Sequence, residues 1–225
     1  MSGDCELALE NEQLVLTGEK AIWWPTRQAL LIADAHFGKA AAYRSLGQPV
    51  PHGTTATNLH VLEQLLTRFP AQRLIFLGDF LHGPGSHAPV TLNQLREWRS
   101  LHPALHITLI RGNHDHRAGD PPLDLSIEVV PEPLVIGPFS LQHEPHPHPD
   151  RHVLAGHIHP VYLLNGRGRQ RLRLPCFHVG KQVTLLPAFG AFTGGFAVER
   201  KPGVKLFVVG EGHVWALPDD GKNQR

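Results

Sequence analysis

The stretch His106-Ile-Thr-Leu-Ile-Arg-Gly-Asn-His-Asp115 joins an apolar strand to a turn that carries polar side chains. The apolar and β-branched residues 107–110 are typical of a central strand, and Gly112, which can adopt a positive φ, is predicted to end it. Asn113 offers a neutral oxygen to a cation. His114 titrates near neutral pH and can give a proton to a leaving group. A turn of this composition is common, so its meaning depends on the rest of the chain.

Length and composition limit the classes of protein to consider. The 225 residues are 41% hydrophobic and contain no long polar linker, which predicts a single domain over 1–225. The net charge of +1 is too small for sequence-independent binding of nucleic acid, so contact with DNA requires a local basic patch. The chain shows neither a signal peptide nor an apolar run of membrane-spanning length, which predicts a cytoplasmic protein with no membrane partner.

The first half of the chain alternates apolar runs with helical patterns. Residues 29–33, 73–77 and 107–110 predict strands covered on both faces. Leucine spacing predicts helices over 54–69 and 89–101. This β-α-β-α-β order favours a parallel sheet. Because ligands of such sheets bind at the carboxyl ends of strands, the polar turns that follow the strands are expected to meet at one site.

Short apolar segments account for most of the remaining chain. Residues 6–10 and 13–17 alternate in polarity and predict an N-terminal hairpin. Ten short segments within 126–217, the first of them 126–130, predict a second and mainly antiparallel sheet that packs on the first. The two cysteines, Cys5 and Cys176, form no C-x-x-C pair, which disfavours a disulfide framework and a zinc ribbon.

Seventeen histidines exceed what structural use requires, and several of them stand in short motifs with acidic residues. In chain order the candidate metal ligands are Asp34, His36, Asp79, Asn113, His143, His157 and His159. Each histidine alone is better explained as a surface or satisfied core residue, and the Pro-His tract that holds His146 and His148 is predicted to be a loop in which these two have no role. The motifs occurring together argue for a site.

The spacing of these residues has a chemical interpretation. Asp34-Ala-His36 and His157-Ile-His159 place two ligands two residues apart, so in an extended chain both side chains of a pair leave the same face. Gly78 lets the backbone come close, and the carboxylate of Asp79 has two oxygens that can bridge two ions. Nitrogen and oxygen donors without thiolates indicate divalent Mn, Fe or Zn rather than structural zinc or an iron–sulfur cluster.

The ordered motifs D-x-H, G-D, G-N-H-D, a lone histidine and G-H-x-H resemble those of the calcineurin-like metallophosphoesterases, over residues 29–159. The resemblance implies an α/β (α+β) fold, a two-sheet β-sandwich flanked by helices, with two divalent ions, manganese favoured, at one rim. One ion would be held by Asp34, His36, Asp79 and His159, and the other by Asp79, Asn113, His143 and His157. His114 would be the proton donor or transition-state stabiliser.

Further motifs resemble the bacterial ligase-associated DNA damage response endonucleases. They are Asp34-Ala-His-Phe-Gly-Lys39, Pro51-His-Gly-Thr54, Gly78-Asp-Phe-Leu-His82, His143-Glu-Pro145, Arg171-Leu-Arg-Leu-Pro-Cys-Phe177 and Pro187-Ala-Phe-Gly-Ala-Phe-Thr-Gly-Gly195. This resemblance implies DNA, an ATP-dependent DNA ligase and associated repair enzymes as partners. The name of the branch rests largely on that association, so phosphoester hydrolysis is implied more directly than nuclease activity.

The expected reaction is in-line attack on phosphorus. Hydroxide held between two ions roughly 3.5 to 4 Å apart is the expected nucleophile. His114 serves the leaving oxygen, and Asp115 is predicted to orient His114. Lys39, Arg44 and Arg111 adjoin the ligand turns and are candidate contacts to phosphate oxygens, although Lys39 and Arg44 are equally explained as solvated charges.

Alternating arginines mark a predicted strand in the second half. Arg167, Arg169, Arg171 and Arg173 would share one strand face. That face is explained either as a solvated surface or as the local patch for a phosphate backbone.

Three functions follow from these patterns. The first is metal-dependent cleavage of DNA phosphodiesters in repair, and the second is hydrolysis of small nucleotides or phosphodiesters. The third is a non-catalytic scaffold subunit of a repair complex. The complete set of candidate ligands, together with His114, argues against the third.

Overall fold

The computed structural model describes residues 3–50, 53–166 and 170–218, which form two β-sheets flanked by helices. The motif residues Pro51 and His52 and the arginines Arg167 and Arg169 lie outside these ranges. No helix in the described ranges combines the length and the apolar composition needed to cross a membrane. The predicted fold class, an α/β two-sheet sandwich with flanking helices, is confirmed.

The first sheet has seven strands in chain order. They are β1 (Cys5–Leu9), β2 (Glu12–Leu16), β3 (Ile22–Trp24), β4 (Ala29–Ile32), β5 (Arg73–Leu77), β6 (His106–Ile110) and β7 (Ile127–Val130). Strands β1 to β4 pair antiparallel, which confirms the N-terminal hairpin, and β4 to β7 pair parallel. The assignment of 126–130 to the second sheet was wrong, because β7 pairs with β6 at the edge of the first.

Four α-helices accompany this sheet: α1 (Lys39–Ser45), α2 (Thr54–Arg68), α3 (Pro89–Leu101) and α4 (Asn113–Ala118). Short 3-10 turns lie at Pro25–Arg27, Pro84–His87 and Leu123–Leu125. The two longer helices, α2 and α3, confirm the prediction from leucine spacing. Leu62 of α2 and Leu95 of α3 belong to the buried cluster that also contains Phe76 of β5, so these helices cover one face of the sheet.

The second sheet has nine strands. They are β8 (Leu134–Ile136), β9 (Phe139–Gln142), β10 (His152–Ala155), β11 (Pro160–Asn165), β12 (Arg171–Val179), β13 (Val183–Leu185), β14 (Phe196–Ala197), β15 (Lys205–Gly210) and β16 (His213–Ala216). Most of its pairings are antiparallel, as predicted, but β10 pairs parallel with both β9 and β13, and β11 pairs parallel with β14.

A shared apolar core holds the two sheets together. Leu31 and Leu77 of the first sheet belong to one buried cluster with Leu141, Leu154 and Phe177 of the second. Burying one such side chain contributes about 1.5 to 3 kcal/mol, so this layer supplies much of the stability. The packing fixes the carboxyl ends of β4, β5 and β6 beside those of β9 and β10, where the candidate ligands begin.

Candidate metal centre and active site

The candidate metal ligands follow the carboxyl ends of five strands and form one cluster. Asp34 and His36 follow β4, Asp79 follows β5, Asn113 follows β6, His143 follows β9, and His157 and His159 follow β10. Donor atoms of these residues approach one another across the rim where the two sheets meet. The expectation that the polar turns converge therefore agrees with the geometry.

One group of donors forms around Asp34, His36 and His159. The Oδ1 atom of Asp34 is 3.3 Å from Nε2 of His159. The Nε2 atom of His36 is 3.4 Å from the same nitrogen and 3.7 Å from Oδ2 of Asp79. These four residues are the set that the family resemblance implies for the first ion.

The second group forms around Nε2 of His143. This nitrogen is 2.8 Å from Oδ1 of Asn113, 3.1 Å from Nδ1 of His157 and 3.5 Å from Oδ1 of Asp79. Asp79 thus directs one carboxylate oxygen to each group, as a bridging ligand would. These four residues are the set implied for the second ion.

The protonation of His143 fits a cation at this place. Its Nδ1 lies 3.1 Å from the carbonyl oxygen of Leu77, and because a carbonyl only accepts, Nδ1 carries the proton. The lone pair of Nε2 then faces the oxygens of Asn113 and Asp79. Three acceptors that converge in this way fit a positive ion between them, and a histidine fixed through its other nitrogen is typical of metal sites.

The electrostatics of the cluster lead to the same conclusion. Burial raises the pKa of Asp79, and the neighbouring carboxylate of Asp34 adds to that effect while His143 opposes it. Burial also lowers the pKa of His36 far below its ordinary value, with Lys39 as the next contribution. The neutral ring is the form of His36 that binds a metal, and a divalent ion would offset the repulsion between the buried carboxylates of Asp34 and Asp79.

The backbone of the ligand turns is in the left-handed region. Five candidate ligands have positive φ: Asp34 (55°), His36 (47°), Asp79 (52°), His157 (68°) and His159 (51°). The prediction that the D-x-H and H-x-H pairs act from an extended chain was therefore wrong, because the strands end before the ligands. The left-handed conformation costs roughly 1–2 kcal/mol per residue, and such strain is concentrated at functional sites.

Two glycines allow the ligand turns to approach each other. A Cβ on Gly78, which has a φ of 78°, would lie 2.1 Å from Nδ1 of His143, which agrees with the predicted close approach. Gly112 follows the end of β6, as predicted, but its φ is −94°, so it does not use the positive φ that was open to it. A Cβ on Gly112 would lie 2.4 Å from Oδ1 of Asp79, so glycine is required there for space.

We expect Gly78→Ala to displace His143 and to lower the free energy of unfolding by about 2–5 kcal/mol, from left-handed strain plus overpacking. Gly47→Ala is the matched control, because Gly47 has a φ of 76° and nothing within 4 Å of its added Cβ. The control should lose only about 1–2 kcal/mol. Equal losses in denaturant titrations of the two variants would contradict the clash at His143.

The residues after Gly112 begin helix α4 rather than a simple turn. The backbone N–H of His114 donates to Oδ1 of Asp79 at 2.9 Å. Its ring Nδ1 lies 2.6 Å from the carbonyl oxygen of His82. Asp115 instead accepts from the N–H groups of Gly112 and Leu81, at 2.9 and 3.0 Å. The His82 carbonyl, and not the predicted Asp115 carboxylate, thus orients the His114 ring.

His82 is a residue of the site for which the sequence suggested no role. Its ring stacks on that of His114 with centroids 4.6 Å apart, and its Nδ1 is 3.3 Å from Nδ1 of His36. Burial lowers its pKa to about 4, with Lys39 as the next cause, so the ring is neutral at pH 7. The only sequence signal was its place in the motif that begins at Gly78.

The three predicted phosphate-binding residues differ in their surroundings. Lys39 begins α1, and burial lowers its pKa, an effect that the charges of Asp79 and Asp34 oppose. Arg44 lies on the same helix and is half-buried. Arg111 donates two hydrogen bonds to Asp120, at 2.7 and 2.9 Å. This pairing argues against a role for Arg111 in binding phosphate.

A two-sheet sandwich with acidic and imidazole donors on its rim is the arrangement expected of a metal-dependent phosphoesterase, a hydrolase that acts on phosphate esters. Among solved structures, the nuclease MPE of Pseudomonas putida is 48% identical and matches with a TM-score of 0.85, over 95% of this chain and 100% of that chain. The chain therefore belongs to the family of this protein, the metallophosphoesterase-like nucleases.

Other comparisons add less. The protein of unknown function AQ665 from Aquifex aeolicus is 22% identical, with a TM-score of 0.43 over 63% of this chain and 82% of its own. The phosphoesterase Yfce from E. coli is 18% identical, with a TM-score of 0.37 over 81% of this chain and 88% of its own. These two similarities are too weak to carry an argument. No protein-family model matches the chain, and no curated protein matches it.

Proposed function

We propose that the protein is a two-metal nuclease that hydrolyses phosphodiesters of DNA. The observation that carries the proposal is the position of Asp79, whose two oxygens face two separate groups of nitrogen and oxygen donors. The related Pseudomonas putida protein is described as a nuclease, which supports a polynucleotide as the substrate. The chain keeps every donor of the expected set, which argues against a non-catalytic scaffold.

The residues on the rim would hold the two ions as the resemblance implies. Asp34, His36, Asp79 and His159 would bind one ion, and Asp79, Asn113, His143 and His157 the other, with manganese as the favoured metal. Two divalent ions there would lower the pKa of water at the site and offset the charge of the phosphoryl group.

The proton needed by the leaving oxygen is assigned to His114. Its Nδ1–H donates to the His82 carbonyl and fixes the ring, so in the doubly protonated imidazolium the proton on Nε2 is the one that His114 gives to the leaving oxygen. The hydrogen bond from its backbone to Asp79 ties the helix that carries His114 to the central ligand. Asp115 contributes by holding the start of that helix. Lys39 supplies positive charge for the non-bridging oxygens.

The biological setting belongs to the same proposal. The motifs shared with ligase-associated endonucleases support action in DNA repair in the cytoplasm, beside an ATP-dependent DNA ligase and associated enzymes. Hydrolysis of small nucleotides or phosphodiesters is the second candidate.

The test is hydrolysis by protein loaded with Mn²⁺, measured on single-stranded DNA, on duplex DNA and on bis(p-nitrophenyl) phosphate. We expect DNA cleavage that is lost on chelation. Cleavage confined to the small diester would favour the second candidate. Absence of hydrolysis with all three substrates, in a sample with bound metal, would contradict the proposal.

A further inference from the structure

A cavity of about 480 Å³ opens beside the candidate ligand His159. Its walls come from β11, from Arg173 on β12, from the segment 188–195 and from Lys20. The volume lies within the range of roughly 300 to 1,000 Å³ that is usual for sites of small ligands. None of the donors around Asp79 uses this space apart from His159, so it is an additional compartment next to the metal centre.

The charge of the cavity suits an anion. Lys20 and Arg173 line it, and no acidic residue does so among the described residues. Nζ of Lys20 donates to the carbonyl of Phe189 at 2.7 Å, and Arg173 donates to the carbonyl of Gly195. An ammonium has three N–H donors and a guanidinium five, so both keep donors for a ligand. Burial lowers the pKa of Lys20 to about 8, which leaves it mostly charged at pH 7.

The antiparallel pair of strands β11 and β12 carries further positive charge beyond the cavity, away from the rim. The pairs Val161 with Pro175, Leu163 with Arg173 and Asn165 with Arg171 lie on one face, because alternate residues of a strand share a face. Val161, Pro175 and Arg173 line the cavity, so this is the face turned towards it. The exposed Arg171 extends the same face beyond the cavity.

An exposed aromatic ring completes the wall. Phe192 lines the cavity with 51% of its surface exposed. Its ring meets the edge of Tyr43 at 6.4 Å between centroids. Tyr43 stacks on His82, and His82 stacks on His114. Aromatic rings thus connect the proposed proton donor with the cavity, and nucleic-acid bases stack on exposed rings of this kind.

We infer that this cavity binds the nucleotide next to the scissile phosphodiester, with its flanking phosphate on Arg173 and Lys20 and its base against Phe192. The inference rests on the proposed nuclease function. It assigns Arg173, Lys20 and Phe192 to recognition of a polynucleotide. A small diester has no flanking phosphate, so it lacks the group that Arg173 and Lys20 would bind.

The test compares R173Q with the control R73Q on two substrates, a short DNA oligonucleotide and bis(p-nitrophenyl) phosphate. Arg73 begins β5, at the end of the strand opposite Asp79, so R73Q removes the same charge away from the site. We expect R173Q to lower kcat/KM for the oligonucleotide at least tenfold, through KM. The slope of log KM for the oligonucleotide against log salt concentration should also fall by about one, the value expected for one lost phosphate contact. The kcat/KM of R173Q for the small diester should change less than twofold. R73Q should leave kcat/KM unchanged for both substrates.

The aromatic wall is tested in the same assay. F192L should raise the oligonucleotide KM on the order of tenfold, whereas F192Y should keep it near the wild-type value. Thermal unfolding of each variant checks that the fold is kept. Equal losses on both substrates, or no loss on either, would overturn the inference. If the wild-type protein hydrolyses the small diester but no oligonucleotide, the inference fails while phosphodiester hydrolysis stands. If it hydrolyses neither, the proposed function fails and the inference fails with it.

Discussion

Asp79→Asn is expected to lower kcat at least a thousandfold and to reduce the amount of bound metal. The amide keeps one oxygen but loses the charge with which Asp79 serves both donor groups, at 3.7 Å from His36 and 3.5 Å from His143. Metal-ion catalysis contributes several kcal/mol, and each 1.36 kcal/mol is a factor of ten in rate. Metal analysis after gel filtration and hydrolysis of bis(p-nitrophenyl) phosphate measure the two effects.

Asp124→Asn is the matched control for this variant. Asp124 forms an exposed ion pair with Arg96 of α3, on the helical side of the first sheet. Loss of that exposed pair should leave rate and metal content unchanged, because such pairs contribute little. An Asp79→Asn protein with two bound ions and normal turnover would exclude the bridging role.

His114→Ala is expected to lower kcat for DNA by roughly 10²- to 10⁴-fold, the usual contribution of general acid catalysis. The loss should be much smaller for bis(p-nitrophenyl) phosphate, because p-nitrophenolate departs without a proton. This difference between substrates separates proton donation from a general disturbance of the site. Bound metal should stay near the wild-type amount, because His114 contacts Asp79 through its backbone N–H, which alanine keeps.

His116, two residues after His114 on helix α4, provides the control. His116→Ala removes an exposed imidazole from α4 and should leave both substrates unaffected. If His114→Ala slows the two substrates equally, the ring stabilises the transition state without donating a proton. If it slows neither, His114 has no catalytic role.

The parallel half of the fold was readable from the sequence because its strands are buried on both faces. Residues 73–77 form β5 with the predicted boundaries, and helix α3 has the predicted bounds as well. The candidate ligands could be singled out for a related reason. Polar residues directly after buried strands have few structural explanations, so Asp34 and Asp79 were conspicuous.

Other features depend on contacts between distant segments, which one sequence does not encode locally. Strand β7 resembles the short strands that follow it, and its place beside β6 is decided by tertiary packing. The role of Asp115 follows from its hydrogen bond to Leu81 in another loop. The motif that contains His82 indicated no role for it, because its stacking partner His114 is far away in the chain.

The left-handed backbone at the ligands has a consequence for folding. Five residues at roughly 1–2 kcal/mol each carry several kcal/mol of conformational cost, which is comparable to the net stability of about 5–15 kcal/mol of a whole domain. The apolar layer between the sheets must offset that cost. A weakened interior will therefore relax first where the loops that carry the candidate ligands cross, and if these loops hold metal, its occupancy and the resistance to denaturation will decline together.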